Sequence, residues 1–145
     1  MSTHQVHIFI SHSWWYSNHY DKLATWIFDE SWSFGQASIK FHDHSIPRDA
    51  PINNAPNDSA LKAAIHDRIG RSHVVVIPTG MYAHYSKWIR KEIDSAKALR
   101  KPILAVNPWG AQRTASVVAD AADRVVGWNK EPVVGAIWDL HYRGA

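Results

Sequence analysis

Four short stretches of the chain gather side chains able to do chemistry. The first is Trp88-Ile89-Arg90-Lys91-Glu92, in which a carboxylate follows an indole by four residues. On a helix that spacing puts Trp88 and Glu92 on one face. Neither is counted with the apolar stripe Ile89, Ile93 and Ala96, so position alone reads Glu92 as a solvated carboxylate beside Arg90 and Lys91. The second is Ser11-His12-Ser13, a hydroxyl beside an imidazole. Adjacent residues on a strand face opposite ways and no nucleophile elbow surrounds them, which argues against a hydrolase triad. Backbone N–H and hydroxyl donors to a polar ligand are the better use. The third, His42-Asp43-His44, aims two imidazoles the same way along an extended strand. No further ligand has metal spacing, so no metal is expected. The fourth is Thr79-Gly80-Met81-Tyr82, which follows the most apolar run of the chain. A receiver domain needs an aspartate where Pro78-Thr79 stands, and neither G-x-G-x-x-G nor a Walker pattern occurs.

These stretches need a frame to hold them together. Val6–Ile10, Ser38–His42, His73–Ile77, Ile103–Val106 and Arg124–Gly127 read as strands. Helices are expected between them: Tyr16 to Glu30, Asp58 to Ile69, Ser86 to Leu99, Ala111 to Ala122, and a closing one from Glu131 to Leu140. Strict alternation implies an α/β fold, a five-stranded parallel sheet in the flavodoxin-like order 2-1-3-4-5 with helices on both faces. His73–Ile77, unbroken and β-branched, belongs at its centre. In that order a ligand sits outside the carboxyl ends of strands one and three, where the winding reverses. The segments expected there are Ser11–Trp15, the loop after Asp43, and Thr79–Tyr82. The loop from Asp43 to Asn57, with three prolines, is long enough to read as a mobile lid.

Composition bounds the rest. A chain of 145 residues suits one domain spanning 1–145. Its 46% hydrophobic and 20% charged residues argue against disorder. The absence of cysteine excludes a disulfide framework and fits a reducing compartment. Nothing resembles a signal peptide or a membrane span, so a cytoplasmic protein is expected. A net charge of +3 is mild, and Arg90-Lys91, Lys97 and Arg100-Lys101 read as a solvated helix face rather than a nucleic-acid footprint. Eight tryptophans and ten histidines suit a pocket that stacks on rings and bonds polar groups.

Taken in order, Phe9-Ile10-Ser11-His12-Ser13, Asp43-His44-Ser45-Ile46-Pro47 and Ser86-Lys87-Trp88-Ile89-Arg90-Lys91-Glu92 resemble the bacterial TIR-like domain family, including the TIR subunit of Thoeris anti-phage systems. Lys101-Pro102-Ile103, Pro108-Trp109-Gly110 and Gly127-Trp128-Asn129 extend the resemblance over nearly the whole chain. It implies that the glutamate four residues after the helix tryptophan, here Glu92, is a catalytic carboxylate, against the solvated reading above. It further implies cleavage of NAD at the nicotinamide–ribose bond, with NAD as substrate and no separate cofactor. The carboxylate would stabilise an oxocarbenium-like ribose. Water would trap it as ADP-ribose, or a group of the same nucleotide as a cyclic isomer, the latter favoured where water is excluded.

Substrate contacts implied by the resemblance and by the fold fall on Phe9, Ser11, His12, Ser13, Trp14, Asp43, Ser45, Thr79, Met81, Tyr82 and Trp88, with Trp15 completing an aromatic wall. Many NAD-cleaving TIR domains carry basic residues after the first strand, where this chain has Ser13-Trp14-Trp15. Phosphate binding then falls to backbone amides, His12, His44 or Arg48. The implied partner is a separate effector protein reached through a diffusible nucleotide, with self-association also open, and neither nucleic acid nor membrane. Two other readings stay open: a non-enzymatic TIR-like adaptor, and an enzyme resembling nucleoside deoxyribosyltransferases.

Overall fold

The computed structural model describes residues 3–11, 19–29, 31–35, 37–45, 58–80, 82–107 and 116–143. In chain order the elements are β1 (Thr3–Ile10), α1 (His19–Phe28), β2 (Trp32–Phe34), β3 (Ala37–Asp43), α2 (Asp58–Gly70), β4 (Val74–Pro78), α3 (Tyr82–Ala98), β5 (Ile103–Val106), α4 (Ser116–Ala121), β6 (Arg124–Val126) and α5 (Lys130–Arg143). The strands form one six-stranded sheet in the order β2-β3-β1-β4-β5-β6. Five of them are parallel, and β2 runs antiparallel to β3 at one edge.

The all-parallel, five-stranded expectation therefore needs correction. The extra strand is a hairpin arm, Trp32-Ser33-Phe34, joined to β3 through Gly35 and Gln36. Gly35 takes a φ of 62°, the left-handed region in which a β-carbon is unfavourable. Three residues are too few for alternation to register as a strand, which is why the sequence pattern passes over it. The remaining five strands keep the expected neighbours, with β1 against β3 and β4.

Side chains alternate across the sheet as the pleat requires. Val6, Ile8 and Ile10 of β1, Val74 and Val76 of β4, and Leu104 and Val106 of β5 pack under α1 and α5. Phe9, Val75, Ile77, Ile103 and Ala105 pack on the other face, under Ile65 and Ile69 of α2, Ile89, Ile93 and Ala96 of α3, and Val118 of α4. All five residues of β4 are buried, as its unbroken apolar run requires of a covered central strand.

Helix α3, which carries Glu92, begins at Tyr82, a turn before the expected start at Ser86. Ser86 is an exposed residue inside the helix, not its cap. The helix ends where Lys101 N–H reaches Ala96 O at 2.8 Å and Arg100 N–H reaches Lys97 O at 3.2 Å, with Arg100 left-handed at φ 58°. Pro102 then prevents continuation. Among the described residues no helix is long and apolar enough to cross a membrane.

Candidate active site

Polar residues cap three adjacent strands at their carboxyl ends. Ser11 follows β1, Thr79 follows β4 and Asn107 follows β5. Each is fixed through its backbone: Ser11 N–H donates to Val76 O at 2.8 Å, Thr79 N–H to Val106 O at 3.0 Å and Asn107 N–H to Val126 O at 2.8 Å. The sheet thereby sets where their side chains emerge. β1 lies between β3 and β4, so this rim includes the point where the winding reverses, the expected ligand position in an open α/β sheet.

Glu92 reaches this rim from α3. Ser11 Oγ donates to Glu92 Oε1 at 2.6 Å, and both residues are fully buried. The solvated reading of Glu92 is thus wrong. Glu92 stands three residues after Ile89 and four before Ala96, inside the buried stripe, and tallying apolar residues alone leaves it out. Trp88, a turn earlier, is half-buried against the same core. A buried carboxylate is costly unless it is hydrogen-bonded, and the Ser11 hydroxyl supplies one such bond. The pair joins residues 81 positions apart, bringing the end of β1 to the middle of α3.

Other expected site residues divide by what they touch. Ser11 spends its N–H on β4 and its hydroxyl on Glu92, so neither stands as the ligand donor expected of it. Phe9 is fully buried in the core beneath α2 and α3, packed rather than exposed to a ligand. Thr79 is buried, and its hydroxyl meets Asn107 Oδ1. Asp43 receives the Tyr20 hydroxyl on one oxygen and the Ser45 N–H, at 2.8 Å, on the other. Ser45 Oγ accepts the Ile10 N–H at 2.9 Å. Asp43 and Ser45 therefore fasten the root of the expected lid to the end of β1. His12, Ser13, Trp14, Trp15, Met81 and the lid from Ile46 to Asn57, with Arg48, lie outside the described residues, as does the Tyr82 side chain.

Removing the Ser45 hydroxyl leaves a buried N–H without its acceptor. Ser45→Ala should destabilise the fold by about 1–3 kcal/mol. A urea midpoint equal to that of the parent protein would show the bond to be unimportant. Asn107 and Tyr20 are the polar partners missed in the sequence. Asn107 was findable, because it is the first polar residue after a buried strand, as Ser11 and Thr79 are.

His44, one of the expected phosphate ligands, lies among other histidines. Its ring lies against His7, at 4.6 Å between centroids, and its Nε2 meets His7 Nδ1. His42 stacks on the same His7 ring at 4.8 Å, and His73 abuts it at 5.1 Å, with His141 of α5 a further 4.6 Å from His73. His73 Nδ1 also accepts the His7 N–H at 3.0 Å. Among the described residues no group of three or more possible ligands is placed to hold a metal ion.

Burial, then the neighbouring His141 and His7, lowers His73 from its ordinary 6.5 to about 4. His42, His44 and His141 are also shifted down, each first by burial. The unfolded chain then binds more protons than the folded one between roughly pH 6.5 and 4. Stability should be full above that window and fall as the pH drops through it. Urea midpoints measured from pH 7.5 to 4.5 should decline, with a shallower slope in His73→Gln. A flat profile in the parent protein would contradict the lowered proton affinity of His42, His44, His73 and His141.

A family model for the TIR-like domain of the Thoeris protein ThsB matches residues 9–113. The chain belongs to this ThsB TIR-like family. The matched span contains Ser11, Asp43, Ser45, Thr79, Glu92 and Asn107, so the whole polar rim lies within the ThsB-like portion. Membership in the ThsB TIR-like family points to a role in Thoeris anti-phage defence. Comparison with curated proteins gives no match.

Proposed function

We propose that this ThsB-like chain cleaves NAD at the nicotinamide–ribose bond and makes an ADP-ribose-type nucleotide that signals to a separate effector protein. The observation that carries the reading is the buried Glu92 carboxylate, held by Ser11 beside the winding reversal of the sheet. Breaking the C1′–N bond sends the bonding pair to nicotinamide, which leaves neutral, and positive charge develops on the ribose C1′ and ring oxygen. A fixed carboxylate in a water-poor site stabilises that charge more strongly than water would. Ser11 holds Oε1 of that carboxylate, fixing it where the ribose would have to come. Trapping by water gives ADP-ribose, whereas trapping by a nucleophile on the same nucleotide gives a cyclic isomer. A site as buried as Glu92 favours the second route.

The test is to incubate the full chain with NAD, with and without lysate of phage-infected cells, and to identify products by mass spectrometry. Nicotinamide release with an ADP-ribose or cyclic ADP-ribose partner is expected. NAD left intact in every condition, with the protein folded, would refute the reading and favour an adaptor. Turnover of nucleosides but not NAD would favour deoxyribosyl transfer.

A further inference from the structure

Helices α2 and α3 lie side by side on one face of the sheet, linked where His66 Nδ1 meets Ser95 Oγ at 3.2 Å. Above this seam is a cavity of about 300 Å³ lined by Ser59 and Lys62 from α2 and by Lys87, Arg90, Lys91 and Asp94 from α3. An adjoining cavity of about 470 Å³ shares Ser59 and Lys62 and adds Ala63, His66 and Asp67. The two are therefore one groove. Positions 87, 90, 91 and 94 form one helical stripe, and 59, 62, 63 and 66 form the stripe facing it.

The charge of this groove is unlike that of an ordinary helix seam, where acids and bases interleave. Among the described residues, four cationic side chains and one carboxylate, Asp94, line the smaller cavity. Asp67, in the larger one, is paired with Arg71 at 3.4 Å. The basic residues lie on a solvated face, as their sequence suggests, but are not spread evenly over it. Lys87, Arg90 and Lys91 converge with Lys62 of the neighbouring helix, while Lys97, Arg100 and Lys101 lie away from the groove. A concavity of this size with converging cations fits a compact dianion or trianion better than an extended polymer. Arg90 can bind two oxygens at once, and the lysines can neutralise the remaining charge.

We propose that the α2–α3 groove binds a pyrophosphate group, either free or carried by a nucleotide. The site is separate from the Ser11–Glu92 pair: Lys91 points into the groove while Glu92, the next residue, turns inward to Ser11. The proposal therefore stands whether or not the chain cleaves NAD.

Calorimetric titration of the full chain with inorganic pyrophosphate and, separately, with ADP tests it. Binding is expected for at least one probe, weakening as salt is raised. Lys62→Ala/Arg90→Ala should lower affinity by about tenfold or more. Both residues are exposed, so melting temperature should be unchanged. A control pair, Lys40→Ala/Lys97→Ala, removes equal charge elsewhere on the exposed surface and should leave affinity within about twofold. Tighter binding of ADP assigns the groove to a nucleotide, and equal binding assigns it to the pyrophosphate alone. No binding of either probe at millimolar concentration, or equal weakening in both pairs, would overturn the proposal.

Discussion

Glu92→Gln is expected to cut NAD turnover by about two to three orders of magnitude, the usual effect of losing one preorganised electrostatic contact. Glutamine keeps the size of the side chain and can still accept the Ser11 hydroxyl, whose bond to Glu92 is 2.6 Å in the parent protein. What it loses is the carboxylate charge. Because Glu92 is fully buried, that charge is held at the expense of its hydration. Melting temperature should therefore stay constant or rise, the pattern expected when function and stability compete at one residue. Glu92→Ala should behave differently, since it also strands the Ser11 donor and opens a void. Nicotinamide release and thermal melts on the same samples check all three statements. Undiminished turnover in Glu92→Gln would remove this carboxylate from the mechanism. Lost turnover together with a collapsed melting temperature would mark Glu92 as structural.

Phe9→Ala is expected to cost about 3–5 kcal/mol, a large part of the stability of any domain this size. The ring is fully buried between Val75, Ile77 and the helices α2 and α3. The resemblance to TIR-like domains had placed Phe9 against substrate, and the two roles separate cleanly by measurement. A core residue moves the urea midpoint, and Phe9→Leu should recover most of the loss without affecting NAD turnover. A substrate contact would raise KM in Phe9→Leu while leaving the midpoint alone, and that result would restore the original assignment.

Local pattern and tertiary placement were legible to different degrees. Val74-Val75-Val76-Ile77 announces a covered strand because only a sheet with helices on both faces can bury every side chain of such a run. From that run and the alternation of elements, the parallel core of the sheet follows. Its edge does not, because Trp32-Ser33-Phe34 pairs through a turn chosen by Gly35 rather than by periodicity. At the site, the helical stripe locates Glu92 once polar residues are admitted to it. Its partner is another matter. Nothing local links Ser11 to a residue 81 positions later, since the contact exists only when β1 and α3 meet across the sheet. The same is true of His7, the neighbouring His42 and His44, and His73, three sites that lie apart in the chain and touch only because β1, β3 and the start of β4 are neighbours.

The place of β1 in the sheet has a consequence during synthesis. This strand is made before either neighbour, yet it occupies an interior position, with β3 on one side and β4 on the other. Once β3 has been made, one edge of β1 can be paired, but the other presents bare backbone donors and acceptors until β4 arrives. At typical elongation rates that interval lasts roughly two to seven seconds. Through it, Val6-His7-Ile8-Phe9-Ile10 is an open, apolar edge of the kind that recruits other chains. Yield of folded protein should then depend on how quickly the segment up to Pro78 is delivered, and on whether a chaperone covers the nascent edge in the meantime.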